Sequence, residues 1–246
     1  MPEELPSRSA PTLPINERFV SLQGEGLLVG VPSSFVRVSG CNLRCAWCDS
    51  PQTSWTPTGS PQTLDELEAF CAAGPRHVVL TGGEPLMFAN LAALSQRLRA
   101  RGHHVTIETA GTLLQPGVQA DLMSISPKLA HSVPRDRDPA WVERHEARRR
   151  RVDVLAALME QPWQLKFVVR TATPEALSTD LEEIEALLIE LTLAPAQRDR
   201  VLVMPECIDP AGLGAAYAAL VETCRATGFR LGERLHIAIF GHRPGT

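Results

Sequence analysis

The sequence predicts an α/β fold in which βα units surround a mostly parallel sheet. Short runs rich in apolar and β-branched residues alternate with amphipathic helical stretches along the 246 residues, as in βα proteins. Several polar or glycine-rich segments directly follow the predicted strands. No Pro/Gly/Ser-rich linker separates two differently patterned halves, so we predict a single domain spanning residues 1–246.

The predicted strands are short apolar runs bounded by turn-forming residues. They are residues 34–38, 77–80, 104–108, 121–125, 164–169, 201–204 and 235–240. Residues 1–15 precede the first strand, and we predict that they form an N-terminal extension. Residues 130–162 are less regular, and we predict that they form an insertion.

Three apolar stripes at helical spacing predict helices that cover the sheet. Thr63 to Glu66 has the pattern of a capping box at the start of the first helix. The stripes consist of Leu64, Leu67 and Phe70 or Cys71; of Met87, Leu91, Leu94 and Leu98; and of Leu181, Ile184, Leu188 and Leu191.

The composition favours a small-molecule partner over nucleic acid or a membrane. The chain has 24 Lys and Arg residues against 28 Asp and Glu residues, a net charge of −4, which gives no general attraction to polyanions. The run Arg148–Arg151 is interpreted as a solvated helix face, with an anionic-ligand site as the sharper alternative. No apolar run reaches the ~18 residues of a membrane span, and the N-terminus does not resemble a signal peptide. We therefore predict a cytoplasmic protein with reduced thiols.

Cys41, Cys45 and Cys48 are the most informative residues of the chain. Their C-x3-C-x2-C spacing supplies three soft thiolates, which suit a 4Fe-4S cluster with one iron left open to an exchangeable ligand. The alternative is a zinc-stabilised binding protein without catalysis, in which His131 or His242 would complete four ligands. The other cysteines, Cys71, Cys207 and Cys224, form no second pair.

Further polar motifs follow successive predicted strands. They are Thr81–Pro85, Glu108–Thr112 and Ser126–Lys128, and the cysteine motif itself follows the first predicted strand. Loops at the C-terminal ends of parallel strands lie on one side of the sheet. The motifs therefore point to one pocket.

The residue types in these motifs suit a charged small molecule. Gly83 allows close backbone approach, and Glu84 supplies a carboxylate for an ammonium group, although this segment alone would also suit a tight turn. Ser126 and Lys128 suit hydroxyl or carboxylate groups, and Ser50 adds a hard oxygen suited to magnesium. A helix N-cap is the alternative for Ser50.

Three other charged residues suit a carboxylated aminopyrimidine. Arg37 can bind a carboxylate through two hydrogen bonds or pair with a structural acid. Glu25 and Glu108 can each accept two hydrogen bonds from an amino group and a ring N–H, and exposed surface acids are the alternative.

Eight motifs together closely resemble the 7-carboxy-7-deazaguanine synthases, a family of radical S-adenosylmethionine (SAM) enzymes. The resemblance runs from about Phe19 to the C-terminus. The motifs are SLQGEG, SFVRVSGCNLRCAWCDS, TGGEP, IETAGT, SPKL, WQLKFVV, VMPE and RLHIAIFGHRPG, in that order. The resemblance implies a partial (β/α)6-type TIM barrel of the radical SAM kind with extra N- and C-terminal elements.

The resemblance also implies roles for individual residues. Cys41, Cys45 and Cys48 would hold the 4Fe-4S cluster, and Ser50 would bind Mg2+. The residues implied to contact SAM are Gly83, Glu84, Ser126, Pro127 and Lys128. Those implied to contact the substrate are Leu22, Gln23, Gly24, Glu25, Arg37, Thr81, Glu108 and His236, although a strand histidine with a purely structural role is the alternative for His236.

The implied reaction is the ring contraction of 6-carboxy-5,6,7,8-tetrahydropterin to 7-carboxy-7-deazaguanine with loss of ammonia, in queuosine and 7-deazapurine biosynthesis. A flavodoxin- or ferredoxin-like protein would supply electrons, and the family implies a homodimer. A glycyl-radical enzyme activating protein is the alternative enzyme, which QGEG, FVR and the His236 region disfavour.

Four features depart from the usual family pattern. Ser50 stands where many members have threonine, and Ala110 stands where an amide residue is common. Residues 130–162 look enlarged, and the ending His242–Gly245 differs from the commoner one.

Overall fold

A nine-stranded sheet organises the chain. In this computed structural model, which describes residues 10–246, the sheet order is β3-β1-β2-β4-β5-β6-β7-β8-β9, with β2 and β4–β9 parallel and β1 antiparallel to both of its neighbours. The strands are β1 (Thr12–Leu22), β2 (Pro32–Val38), β3 (Ser60–Thr63), β4 (His77–Gly82), β5 (His104–Thr109), β6 (Leu122–Ile125), β7 (Trp163–Val169), β8 (Val201–Pro205) and β9 (Arg230–Leu231).

The helices follow the strands in the alternation expected of βα units, and the predicted α/β class is confirmed. They are α1 (Leu64–Ala72), α2 (Asn90–Ala100), α3 (Val142–Arg149), α4 (Val152–Leu158), α5 (Pro174–Glu190), α6 (Pro210–Thr227) and α7 (Leu235–Phe240). The parallel strands with their helices form an open α/β sheet, and β1 and α7 are the added N- and C-terminal elements.

The two faces of the parallel strands have opposite chemistry, because successive side chains in a strand point to opposite faces. One face is apolar and packs under the helices. It includes the fully buried residues Val36, Leu80, Ile107, Leu165 and Phe167. The other face becomes polar toward the C-terminal strand ends. It presents Arg37, Thr81, Glu108, Ser124 and Lys166 to a cavity.

Strand register brings these polar side chains together. Arg37 pairs with Thr81 across β2 and β4, and Glu108 pairs with Ser124 across β5 and β6. Residues paired in this way have neighbouring side chains on the same face. The register therefore builds a polar row from side chains far apart in sequence.

The predicted helical stripes are largely confirmed. Leu91, Leu94 and Leu98 of α2 are fully buried, and the stripe on α5 packs against the same core. The capping box at the start of α1 is present in both directions. Met87 is the exception, since it lies in a 3₁₀ turn before α2 and is 41% exposed.

The prediction of a strand over residues 235–240 is wrong, because this segment forms α7. Ile237 and Ile239 would share one face of a strand, whereas in the structure Ile237 is 0% exposed and Ile239 is 52% exposed. A helix separates these two residues onto different faces. An apolar run of six residues does not by itself distinguish the two structures.

Strands β1, β3 and β9 were not predicted. Residues 12–15, which belong to the predicted N-terminal extension, form the start of β1 and pair with β3, while residues 1–9 lie outside the described part of the chain. Residues 130–162 contain α3 and α4. Within residues 10–246, no helix is long and apolar enough to cross a membrane.

The capping box gives a direct test of local stability. Thr63→Ala removes the hydroxyl that accepts a hydrogen bond from the Glu66 amide at 3.2 Å, and we expect the free energy of unfolding to fall by about 1 kcal/mol. Thr179→Ala is the matched control, because this exposed hydroxyl bonds back to a carbonyl inside α5. The control should leave stability nearly unchanged or slightly higher. Urea denaturation compares the variants, and equal losses would contradict the capping role.

Candidate active site

One cavity collects nearly all of the predicted functional residues. It lies at the C-terminal ends of the parallel strands and has a volume of about 360 Å³, within the range of small-molecule sites. The predicted residues that line it are Leu22, Gln23, Gly24, Glu25, Arg37, Cys41, Cys45, Cys48, Ser50, Thr81, Gly83, Ser126, Lys128, Glu108 and His236. The prediction that the motifs share a pocket is confirmed, and of the predicted site residues only Glu84 and Pro127 lie outside the lining.

Packing and hydrogen bonds fix the loop that holds the three cysteines. Leu43 is fully buried and anchors the loop in a small apolar cluster with Cys45 and Ala110. Asn42 exchanges hydrogen bonds of 3.0 and 3.2 Å with the Thr112 hydroxyl. These contacts join the cysteine loop to the loop that follows β5.

Residues of the 130–162 segment hold the same loop from the other side. The Ala46 amide donates to the Ser132 carbonyl at 2.8 Å, and the Arg44 amide donates to His145 Nδ1 at 3.2 Å. Burial lowers the pKa of His145 to about 4, so the ring is neutral at pH 7. Since Nδ1 accepts, Nε2 holds the proton and donates to the Ser132 hydroxyl at 2.9 Å.

The three thiols lie at the cavity wall in apolar surroundings. Cys45 is buried and the other two are half-buried. Burial raises the pKa of Cys41 and of Cys45 to about 12 and also raises that of Cys48. Without a metal the thiols are therefore protonated at neutral pH, and metal binding must release protons.

This donor set fits an iron–sulfur cluster. Three thiols of one loop face one cavity, and thiolates are the ligands that such clusters take from proteins. Within residues 10–246, no three His, Cys, Asp or Glu side chains are drawn together closely enough for a single metal ion. A cubane cluster places each thiolate on a different iron and does not need that closeness.

The two histidines considered as zinc ligands have other contacts. His131 lies 3.3 Å from Asp180 and 3.4 Å from Glu206 and stacks on Trp47. His242 Nε2 lies 2.8 Å from the Asp49 carbonyl oxygen. Each ring is therefore placed by groups other than the cysteine thiols.

Gly83, directly after β4, lies in close contact with the cysteine loop. A Cβ atom on Gly83 would lie 2.2 Å from the Gly40 carbonyl oxygen and 2.7 Å from Cys41 Cβ, so only glycine allows this approach. The Glu84 amide also donates to the Gly40 carbonyl at 2.9 Å. The two loops thus form one continuous wall of the cavity.

Glu84 supports this wall from behind. Its carboxylate is 0% exposed and accepts hydrogen bonds from Leu86 N, Thr109 Oγ1 and Ala110 N at 2.8–3.0 Å. Burial raises the pKa of Glu84, and the bonds from Ala110 and Leu86 oppose that shift. The structure therefore shows Glu84 fixing the positions of two loops.

Ser126 and Lys128 form a polar pair opposite the cysteines. Lys128 Nζ donates to the Ser126 hydroxyl at 2.9 Å and lies 5.3 Å from the centre of the Trp47 ring. The ammonium and hydroxyl groups both face the cavity. They can bind hydroxyl or carboxylate groups of a ligand.

Asp49 and Ser50 bring oxygen ligands beside the thiols. The Ser50 hydroxyl donates to Asp49 Oδ1 at 3.2 Å, and Asp49 Oδ2 accepts from Arg234 at 2.7 Å. Arg234 is buried and also donates to the Cys207 carbonyl at 3.0 Å. These contacts place the oxygen atoms of Asp49 and Ser50 at the cavity wall without burying them.

Lys166 lies between two carboxylates on the inner face of the sheet. Its Nζ atom is 3.0 Å from Glu25 Oε2 and 3.6 Å from Glu108 Oε1. Burial alone would lower the pKa of Lys166, but Glu108 and Glu25 outweigh burial and raise it. The side chain is therefore a charged ammonium that joins β7, β5 and the loop after β1.

The two carboxylates have further partners. Glu108 accepts from Gln23 Nε2 at 3.2 Å and from Thr81 Oγ1 at 2.9 Å. Burial alone would raise the pKa of Glu25, but Lys166 and Arg234 bring it well below its ordinary value. Glu25 is therefore ionised throughout the neutral range, and acid would weaken its pairing only below the ordinary value of 4.5.

His236 lies directly over the chain at Gly24. A Cβ atom on Gly24 would be 2.1 Å from His236 Nδ1, and the Leu235 amide donates to the Gly24 carbonyl at 2.8 Å. Burial lowers the pKa of His236, so the imidazole is neutral at pH 7. The start of α7 thereby closes the cavity over the QGEG loop.

Arg37 is held at one edge of the cavity by an acid. Its Nε atom donates to Glu17 Oε1 at 2.7 Å, and the guanidinium lies 5.8 Å from the centre of the Phe19 ring. Phe19 in turn stacks on Phe35 at 4.8 Å. The structural pairing left open by the sequence is thus present, and the guanidinium also lines the cavity.

Sequence reasoning missed Lys166 and Arg234 as site residues. Lys166 belongs to the WQLKFVV motif, where a single charge inside an apolar strand is a usable signal of a special environment. Arg234 precedes the segment mistaken for a strand and had no comparable signal. Trp47 and the C-terminal residues His242, Arg243 and Pro244 also line the cavity.

Comparisons with known proteins show which family the chain resembles. Residues 35–133 match the radical SAM superfamily. A 7-carboxy-7-deazaguanine synthase from Halobacterium salinarum is 44% identical over 96% of this chain and 93% of its own length, and one from Rhodopirellula baltica is 43% identical over 97% and 90%. The crystal structure of QueE from Escherichia coli superposes with a TM-score of 0.67 at 28% identity and covers 92% of this chain and 95% of that one.

Replacing Lys166 tests the buried charge group. Lys166→Met should lower the free energy of unfolding by about 3–5 kcal/mol, because it removes the ammonium that lies between two partly buried carboxylates. In the double variant Lys166→Met/Glu25→Gln one carboxylate charge is also removed. The double variant should therefore be less destabilised than the sum of the two single variants. Denaturant titrations of all four proteins measure the coupling, and strictly additive losses would contradict the proposed pairing.

Proposed function

The chain belongs to the 7-carboxy-7-deazaguanine synthase family of radical SAM enzymes, and we propose that it converts 6-carboxy-5,6,7,8-tetrahydropterin to 7-carboxy-7-deazaguanine with loss of ammonia. This reaction belongs to queuosine and 7-deazapurine biosynthesis. The supporting observation is that one cavity presents the three cysteine thiols together with Arg37, Glu25 and Glu108. Cluster ligands and groups suited to a carboxylated aminopyrimidine thus face the same space.

The cysteine loop would hold the cluster and the neighbouring wall would hold SAM. When bound, the reduced 4Fe-4S cluster and SAM supply the one-electron chemistry that begins the reaction. Gly83 would let the methionine part approach the backbone beside Cys41, while Ser126 and Lys128 would bind hydroxyl or carboxylate groups of the cofactor. Pro127, between these two residues, would shape the loop. Glu84 would act indirectly, by fixing the loops that Gly83 and Ala110 belong to.

The polar inner face would orient the substrate. Arg37 would bind the carboxylate, with Glu17 keeping the guanidinium in place through Nε. Glu25 and Glu108 would accept hydrogen bonds from the aminopyrimidine edge, and Lys166 would keep both carboxylates correctly placed. Thr81 would orient Glu108 through its 2.9 Å hydrogen bond.

Other residues at the end of β1 and in the loop after it would also contact the substrate. Leu22, Gln23 and Gly24 line the cavity there beside His236. Because His236 is neutral at pH 7, one of its ring nitrogens can accept a proton from a bound ligand. α7 would also limit the access of water to this end of the cavity.

Ser50 would bind Mg2+, with Asp49 beside it as a second source of oxygen. Serine keeps the hydroxyl that threonine provides in many relatives, and the Asp49–Ser50 pair faces the cavity next to Cys48. Magnesium takes oxygen ligands and retains several waters, which suits a site with few protein ligands. The ion would position substrate oxygens.

Two features of the whole protein complete the proposal. A flavodoxin- or ferredoxin-like carrier would supply electrons to the cluster, and the chain would act as a homodimer in the cytoplasm. The thiols of the cysteine loop must stay reduced to bind a cluster, and a reducing compartment would keep them so.

Product analysis of anaerobically reconstituted protein tests this function. With reductant, SAM, Mg2+ and 6-carboxy-5,6,7,8-tetrahydropterin, mass spectrometry should detect 7-carboxy-7-deazaguanine. Cys45→Ala should lose both the cluster iron and the product, because it removes one of three cluster ligands. Cys224→Ala, a partly buried cysteine on α6, should retain both.

Two results would overturn the assignment. A cluster-loaded wild-type protein that cleaves SAM without forming this product would have another substrate. A Cys45→Ala variant with unchanged iron, sulfide and product would show that the cluster is bound elsewhere.

A further inference from the structure

The arginine-rich part of the 130–162 segment is the charged feature that the proposed reaction does not use. Residues 135–151 contain seven arginines and four acidic residues, whereas the whole chain has a net charge of −4. This segment includes α3 and packs against the cysteine loop. Its charge is therefore opposite in sign to that of the rest of the protein.

Four of these arginines are neutralised by acidic side chains. Arg135 and Arg149 pair with Glu146 at 2.8 and 2.7 Å. Arg150 pairs with Glu190 and Arg151 with Asp153, both at 2.6 Å. Three of the four arginines in the run Arg148–Arg151 are therefore paired, and they form a solvated helix end with a structural role.

The three remaining arginines of this segment, Arg137, Arg144 and Arg148, are arranged differently, since they lie around the cysteine loop together with Arg44 of that loop. We call Arg44, Arg137, Arg144 and Arg148, with Trp55 and Trp141, the arginine face. Across residues 10–246, no acidic side chain forms an ion pair with any of these four guanidinium groups. Asp136 and Glu143 are exposed and Asp138 is half-buried on this segment, so four guanidinium groups against three carboxylates leave the face net positive.

Backbone carbonyls of the cysteine loop hold three of the four guanidinium groups. Arg44 donates to the Cys41 and Leu43 carbonyls at 2.8 and 2.7 Å. Arg148 donates to the Asn42 carbonyl at 2.9 Å and Arg137 to the Ala46 carbonyl at 3.1 Å. Carbonyls orient the guanidinium groups without cancelling their charge.

Two tryptophans order the same groups. Arg44, Arg144 and Arg148 lie 4.4, 5.7 and 6.0 Å from the centre of the Trp141 ring, and Arg137 lies 4.0 Å from that of Trp55. Arg137, Arg144 and Arg148 are nevertheless exposed. The face therefore combines preordered arginines with aromatic rings, the residue types enriched in protein interfaces.

We propose that the arginine face is the docking surface for an acidic one-electron carrier protein of the flavodoxin or ferredoxin class. The proposal rests on the proposed function, which needs a cluster on Cys41, Cys45 and Cys48. One electron would leave the reduced carrier and enter the oxidised cluster, and no bond forms or breaks. Opposite charges would steer the carrier to the outer side of the loop that binds the cluster.

A charge reversal on this face provides the test. Arg144→Glu is suitable because Arg144 lies on the face without bonding to the cysteine loop. We expect the concentration of reduced flavodoxin that gives half-maximal SAM cleavage to rise about tenfold at low salt, and the difference from wild type to shrink as salt is added. Dithionite, a small reductant that needs no docking surface, should support equal rates in both proteins. Arg225→Glu, an exposed change of the same charge on α6, should behave as wild type.

The possible outcomes separate the docking surface from the proposed function. Wild-type protein without SAM cleavage under dithionite would refute the function, and flavodoxin binding measured by biolayer interferometry would then decide the docking surface alone. Unchanged flavodoxin dependence and binding in Arg144→Glu and in Arg137→Gln/Arg144→Glu would overturn the proposal. Salt-sensitive binding of transfer RNA that is lost in these variants, with flavodoxin kinetics unchanged, would assign the face to nucleic acid instead.

Discussion

The ion pairs of Lys166 with Glu25 and Glu108 hold the cavity together. A buried ammonium between two carboxylates is stable only if all three charged groups stay in contact, because any one of them alone would be costly to bury. Glu25 belongs to the loop after β1, and that loop in turn receives Leu235 and His236 at the start of α7. The buried pairs thus couple the central strands to both terminal elements and turn an open sheet into a closed site.

The two sides of the cavity have different roles. On one side, the cysteine loop is fixed by neutral hydrogen bonds, by the close approach of Gly83 and by the buried carboxylate of Glu84, and its three thiols face the cavity as metal ligands. On the other side, paired charged groups lie in a partly dry space, where they can orient a charged substrate without reorganising. Radical chemistry depends on such positioning, because the cofactor supplies the reactivity and the protein supplies orientation and exclusion of water.

The sequence was most informative where local chemistry determines structure. The capping box at Thr63, the stripe on α2 and the loops after successive strands depend on spacing alone, and they were predicted. The short run at 235–240 suited both a strand and a helix, and only the structure shows the helix, with its start packed against Gly24. Lys166 was missed as a site residue because its partner Glu25 is 141 residues away. Only strand register and the closure by α7 bring such residues together.

In the proposed site, the paired charges of the inner face orient a carboxylated pterin beside the cluster. An anaerobic crystal structure of the reconstituted protein with SAM and 6-carboxy-5,6,7,8-tetrahydropterin would show this orientation. We expect the carboxylate on Arg37, the aminopyrimidine edge on Glu25 and Glu108, and Lys166 still between these two acids. A pterin bound with its carboxylate on Lys166, or with its aminopyrimidine edge away from both acids, would contradict this orientation.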